Sequence, residues 1–417
     1  MSSPVAPAAL AAWAPLRHTR FRALWLAGLV SAIGTWMHNV GSAVLMTELT
    51  SSPVQTAMLQ TVSSLGVLLL VFPAGALGDI LDRRRLLMFA QGWMLIMAGV
   101  MAWVTWHGDM KPWLLLWLTF GLGLGAALNT PAWQALFPAL VPREEVAHAV
   151  TLNGASFNLA RVLGPAIGGI VVAAAGPAAV FALNALTFIA TIATLARWPT
   201  LIDTPRSTST GLFDSMRGGL AHARTSRPLQ HVLARGGAFV VGSSALWALV
   251  PVLGRLDLGL DAQTYGALFG SLGAGAVLGW VFLPYWRARV GTDTLVTGAG
   301  LAFGVAMLAL TTTNDVFALS AALLAAGGAW ITGMTTFNTA AQLLVPRPLV
   351  TRAVALYIFT FQVIFTLSTY AWGVIAARFG THTALGAAAA AQLLSLAAPL
   401  VWPLPATLTT AVEGKAA

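Results

Sequence analysis

The 417-residue sequence contains no cysteine. A disulfide framework and a thiolate metal site are therefore both excluded. Charge is nearly as scarce: charged residues make up 8% of the chain and hydrophobic ones 58%, where a soluble domain carries about 25% charge. A chain this poor in charge cannot cover a water-facing surface and must face lipid over most of its area. There is no phosphate-binding loop, no nucleophile elbow and no His/Asp/Glu constellation. An enzyme, an ATP-hydrolysing chain, a bound metal and a cofactor are accordingly not expected. Carboxylates are absent from the middle of every long apolar run, which leaves few candidates for moving a proton across a membrane.

What is present is a series of apolar runs. A bilayer-crossing helix needs about 20 mainly apolar residues. Twelve such runs lie near 21–46, 54–78, 86–106, 113–137, 146–174, 177–197, 232–253, 264–285, 294–312, 316–344, 352–377 and 383–403. The expected architecture is an all-α integral membrane bundle of twelve transmembrane helices. Residues 1–16 carry no basic region, and the first run follows Arg17, Arg20 and Arg22, so it is expected to stay in the membrane.

The net charge of +9 sorts by loop and so speaks for a membrane surface and not for nucleic acid. With a cytoplasmic N-terminus, 18 of the 22 basic residues fall inside, among them Arg83, Arg84, Arg85, Arg143, Arg235 and Arg287. Only Lys111, Arg255 and Arg378 fall outside, and Arg161 lies within a run. This split predicts two cytoplasmic termini. The longest polar stretch, 198–231, predicts a linker with a short amphipathic helix near 212–224. It divides the chain into a six-helix bundle (1–197), the linker, and a second bundle with a short tail (232–417).

The two halves repeat. Leu140 to Leu152 aligns with Leu344 to Leu356 at an offset of 204 residues, with eight of thirteen positions identical. The same offset carries Gly75 onto Gly279 and Arg83 onto Arg287. A duplicated six-span unit predicts two pseudo-symmetric bundles with a substrate path between them. A receptor, a scaffold or an integral enzyme has less need of such a path.

The loop after the second run reads Gly75-Ala76-Leu77-Gly78-Asp79-Ile80-Leu81-Asp82-Arg83-Arg84-Arg85. It resembles the first-loop signature of the major facilitator superfamily, with Ile80 and Asp82 departing from the usual pattern. The fifth run carries Gly164-Pro165-Ala166-Ile167-Gly168-Gly169, similar to the glycine-proline motif of exporters in that superfamily. Asn129 to Pro138, Val141-Pro142-Arg143, Leu152-Asn153-Gly154 and Phe157 to Arg161 resemble the branch that contains the enterobactin exporter and the macrolide efflux pumps. The resemblance implies export of a small organic molecule (siderophore, secondary metabolite or drug) driven by proton antiport in a bacterial inner membrane, by a chain functional as a monomer. A major facilitator importer or a lipid flippase is the alternative. The resemblance also implies gating roles for Gly75, Gly78, Asp79, Arg83, Arg84, Gly164, Pro165, Gly168 and Gly169.

In that superfamily the first, fourth, seventh and tenth spans line the cavity. Polar and aromatic side chains on these runs are thus candidate substrate contacts: Thr35, Trp36, His38 and Asn39; Asn129, Trp133 and Gln134; Trp247; Trp330, Thr335, Asn338 and Gln342. Ser31, Thr35, His38 and Ser42 share one helical face, a spacing that also suits helix–helix contact in lipid. Asn158 and Arg161 in the fifth run complete the set, and Arg161 would attract an anion or hold a neighbouring helix. His38 and Glu48 are the candidate proton carriers. Gly266/Gly270 and Gly275/Gly279 are spaced for close packing where the halves rock.

Overall fold

In the computed structural model the chain is almost wholly helical; the structure describes residues 13–80, 82–197, 224, 226–345 and 350–404. Four helices come first: α1 (Thr19–Leu49), α2 (Pro53–Ile80), α3 (Arg83–Trp106) and α4 (Pro112–Leu136). The stretch Val146–Ala196 is broken at Gly176 (φ 77°, ψ 172°) into α5 (146–175) and α6 (177–196). Glycine reaches this backbone region at little cost, and Pro177 then opens α6 where its missing N–H has no partner to lose. The second six are α7 (Arg227–Pro251), α8 (Ala262–Arg287), α9 (Thr292–Thr312), α10 (Val316–Leu343), α11 (Val350–Phe379) and α12 (Thr381–Leu394). A π-helical turn (Val252–Asp257) extends α7, and a 3-10 turn (Ser395–Leu400) extends α12.

Among the described residues, ten segments are long and apolar enough to cross a bilayer, and the longest, Arg143–Ala196, is the one folded at Gly176. The remaining helix, α1, carries Arg20, Arg22, His38, Asn39 and Glu48. Short loops are closed by capping carboxylates. Asp82 accepts from the Arg85 N–H, Asp261 from Thr264 at 2.7 Å and Asp315 from Ala318 at 2.8 Å. Each satisfies a donor that the first helical turn leaves open.

The repeat is visible in the helix starts. Pro112 and Val316 open α4 and α10, and Val146 and Val350 open α5 and α11, both pairs 204 residues apart. Within the first six helices α1 packs on α5 and α6, and α2 on α4; within the second six α7 packs on α11, and α8 on α10. The two groups join along two seams, α5 on α8 and α11 on α2. Among the described residues, the named contacts of both seams run from the middle of each helix to its end remote from the chain termini. Gly169 meets Ala262 and Gly266, and the Arg161 carbonyl meets Gly273. Across the other seam Thr61 and Thr369 share a hydroxyl hydrogen bond of 3.0 Å, and Gln362 donates to the Ser64 carbonyl at 3.2 Å. The largest core cluster spans both groups, from Met37, Val40 and Val44 of α1 to Leu249 of α7 and Leu253 just beyond it.

Several sequence expectations shift here. Of the α8 glycines, Gly266 and Gly270 face α5 across the seam, whereas Gly275 and Gly279 face Leu324, Gly328 and Ile331 of α10 in the same group. Arg235, expected as a loop anchor, is buried within α7 and paired with Asp293 of α9; it also donates to Thr297 at 3.0 Å. A guanidinium keeps its charge inside a helix bundle and is costly there without such a partner, and the partner lies 58 residues away. Most of the linker 198–231, including the expected short helix, lies outside the described residues.

Candidate substrate site between the helix groups

Proline 165 has no N–H to donate to the Arg161 carbonyl one turn earlier. That carbonyl is the atom a Cβ at Gly273 would strike. The glycine-proline motif therefore frees an acceptor where α8 needs a close neighbour. Gly164 and Gly168 instead face α1, at Trp36, Ile33 and Met37, and Gly169 faces α8. The motif brings α1, α5 and α8 together at one level of the bundle.

At that level the side chain of Arg161 lies beside two rings, its guanidinium carbon 5.3 Å from the Trp36 ring centre and 5.5 Å from that of Phe157. Its Nε and Nη1 are buried without a hydrogen-bond partner. Trp36 of α1 reaches across to the second group, 6.3 Å from Trp247 of α7 and 6.4 Å from Phe269 of α8. Trp247 continues to Trp330 of α10 at 5.6 Å, and its indole N–H is also buried and unpartnered. Trp330 is itself buried, ringed by Phe239, Phe361 and Phe365. Thus Arg161, Trp36, Trp247 and Trp330 form one continuous cluster across the seam. Phe157 and Phe269, which sequence reasoning left out, belong to it; as apolar residues in apolar runs they carry no signal of their own.

The remaining candidates divide. Thr335, Asn338 and Gln342 lie further along α10; Asn338 is eight residues, about 12 Å of helix rise, from Trp330. Gln342 donates to Asn338 at 2.6 Å, and Arg287 donates to Thr339 at 3.3 Å, so this end forms a separate polar tier. Thr35 and Asn39 are exposed on α1 and share the helix face of Gly28, which meets the Trp133 ring of α4. Gln134 is exposed; Asn129 accepts from Gln91 of α3 at 2.9 Å, and Asn158 is buried and donates to the Gly154 carbonyl of its own helix.

His38 stands apart from the cluster. It is buried, its ring centre 4.6 Å from that of Phe181 in α6, and neither ring nitrogen has a partner. The polar face of α1 is mainly a packing face: Gly34 meets Asn184 and Thr187, and Gly41 meets Phe181 and Val180, all of α6. Glu48 lies at the far end of α1, 3.5 Å from Arg255 in the π-turn of the other group. Arg255 also donates to the Leu260 carbonyl. Of the expected gating residues, Arg84 donates to the last carbonyls of α6, Leu195 at 2.8 Å and Ala196 at 3.4 Å, within its own group. That is a favourable place for a cation at a helix C-terminus. Arg83 makes an interaction of its own. The side chains of Gly75, Gly78 and Asp79 lie outside the described residues.

Two helix groups of this topology, with a cluster at their seam, define a major facilitator transporter. The pattern of the transmembrane secretion effector family matches residues 10–416, and the chain belongs to that family. Among curated proteins it is 28% identical over 267 residues to the enterobactin exporter EntS of Salmonella choleraesuis (strain SC-B67), an alignment covering 63% of each chain. It is also 28% identical over 264 residues to EntS of Escherichia coli O1:K1 / APEC, covering 63% of this chain and 62% of that one. The matches thus span a little under two thirds of those relatives. Among solved structures, a bacterial homologue of the human lysosomal transporter Spinster, inward-facing and unoccupied, superposes with a TM-score of 0.71 at 14% identity, over 96% of this chain and 97% of that one. A mutant of the nucleoside transporter NupG gives 0.73 at 11% identity, over 92% and 99%. These likenesses establish the fold. The chain is a multi-pass membrane transporter of that family and not an enzyme.

Proposed function

We propose that this protein is a secondary active exporter of a small organic molecule, a siderophore, secondary metabolite or drug, working by alternating access in a bacterial inner membrane. The observation that carries the reading is the pair of seams: among the described residues their named contacts run from the middle of each helix to its end remote from the termini, beside the aromatic cluster of Trp36 and Trp247. With both termini cytoplasmic, as the basic loops favour, an inward-facing state of this arrangement would let cytoplasmic cargo reach the cluster. Opening the seams and closing the other end would release it outside. The relatives named enterobactin exporter support the direction.

Proton antiport is the proposed drive, with the chain acting as a monomer. Of the two candidate carriers, Glu48 is the better placed. It faces a cation of the opposite group, so its protonation state bears on whether the groups stay together. His38 sits against Phe181 inside one group.

The test compares medium and cell extract of the native host, with and without the gene, by untargeted mass spectrometry under iron-rich and iron-poor growth. The expected result is one compound trapped in the deleted cells and missing from the medium; trapping only under iron starvation identifies a siderophore. No compound trapped in either condition overturns a dedicated exporter.

A further inference from the structure

The seam cluster also says what kind of cargo it suits, an inference that rests on the transporter reading above. We infer that Arg161 anchors a binding site for an organic anion, a carboxylate-like group on an aromatic or apolar body.

The charge comes first. Arg161 Nε and Nη1 are buried with no hydrogen-bond partner. Among the described residues every Asp and Glu sits in a loop or in the terminal turn of a helix, none at the level of this cluster. An ionised group deep in a bundle is costly unless something compensates it, and nearby rings supply only part of that. A ligand bearing the opposite charge supplies the rest.

The second observation is the sign of the unmet hydrogen bonds. The cluster holds a second buried donor without a partner, the Trp247 indole N–H. Both donors border the same ring, that of Trp36, Arg161 at 5.3 Å and Trp247 at 6.3 Å between ring centres. Guanidinium and indole N–H groups can only donate. A wall of donors and ring faces suits an acceptor-rich anion and repels a cation. The planar fork of guanidinium matches a carboxylate in two hydrogen bonds, and the rings disfavour an inorganic ion that keeps its water.

The third observation is the repeat. At the offset of 204, Arg161 corresponds to Phe365. Phe365 is buried against Trp330, ring centres 6.2 Å apart. The equivalent position in α11 is thus filled by an apolar ring. Packing at this point of the repeat does not require a charge, and the guanidinium of α5 serves something other than the fold.

The experiment uses the full-length transporter in nanodiscs and three probes: 1-naphthoate, its neutral analogue 1-naphthamide, and sulfate. Calorimetric titration is expected to show naphthoate binding at least tenfold more tightly than naphthamide, with sulfate unable to displace it at equal concentration. Arg161→Gln removes the preference, Arg161→Lys keeps part of it, and Trp247→Phe weakens naphthoate several-fold. In case Arg161→Gln folds poorly, Trp247→Phe leaves the ring in place and reads the same site. Naphthoate is also expected to raise the Tm of the wild type and not that of Arg161→Gln. Equal affinity for naphthoate and naphthamide, displacement by sulfate, or an undiminished preference in Arg161→Gln would each overturn the proposal. The exporter reading fails separately. A compound trapped by gene deletion without naphthoate preference leaves the exporter and removes the anion site, and the reverse pattern does the opposite.

Discussion

Where α5 crosses α8, backbone meets backbone; where α11 crosses α2, side chains do the joining. The two crossings are equivalent by the repeat, and Gly169 and Gly373 stand at the same place in each. Pro165, however, corresponds to Thr369. The proline frees the Arg161 carbonyl, and Gly273 lets α8 close on it. The threonine forms a hydroxyl pair with Thr61. A backbone seam has no rotamer to adjust, so it is intolerant of added bulk. A side-chain seam can break and re-form bond by bond. Both seams part in the proposed cycle, and the first is the more sensitive to added bulk.

The sharpest way to break this contrast is Gly273→Leu. Its side chain must displace the Arg161 backbone, and overpacking of this kind costs about 1–3 kcal/mol or more. Efflux of the trapped compound is expected to fall to the level of the gene deletion, with a lowered Tm; near-normal efflux would make the two seams alike. On the other seam, Thr369→Val keeps the volume and removes the Thr61 partner, a loss of about 0.5–1.5 kcal/mol. Efflux is expected to change only a few-fold, and spin-label distances across the remote end of α2 and α11 to broaden. The double variant Thr61→Val/Thr369→Val should add little to either single one.

A smaller effect tests whether the start of α8 must be ordered for its seam. Asp261→Ala removes the cap just before Ala262, and caps contribute about 1 kcal/mol. The Asp261 carboxyl is held below its usual range chiefly by the Thr264 N–H, which favours the ionised form. Its contribution is therefore full above the ordinary carboxylate range and is lost as pH falls through the lowered value. The Tm difference between wild type and variant should be present at neutral pH and vanish in acid. The smallest stability change belongs to Glu48→Gln. The Glu48 side chain is 49% exposed, and a pair of this kind contributes about 0.2–1 kcal/mol, less in high salt. Its functional readout is larger: pH dependence of efflux should flatten in Glu48→Gln and persist in His38→Phe.

Much of the fold was legible because lipid allows a chain few options. Backbone polar groups must be satisfied within each span, so apolar runs become helices, and the expected runs fall within about five residues of α1–α11, while the last, 383–403, runs past the end of α12 at Leu394 into the 3-10 turn. The tight joint at Gly176-Pro177 was equally plain, since glycine and proline constrain the backbone locally. The site was legible in part. Arg161, Trp36, Trp247 and Trp330 do meet, and of these only the charge is rare enough inside a span to stand out in the sequence. His38 was harder to read: a three- and four-residue polar spacing is the same whether a face lines a cavity or packs on a neighbour, and its ring neighbour Phe181 belongs to a helix far along the chain.

Sequence by itself determined the helices, their number of apolar runs, the 204-residue repeat and the sorting of basic loops, all of which follow from local composition and the period of a helix. Tertiary structure alone decided which face of each helix meets which neighbour: that Gly266 serves the seam and Gly275 does not, that Arg235 finds Asp293, that Glu48 finds Arg255, and that Arg161, among the described residues, is left with rings and no acid. Those pairings depend on how helices distant in the chain cross, and the spacing of residues along one helix carries no record of its partner.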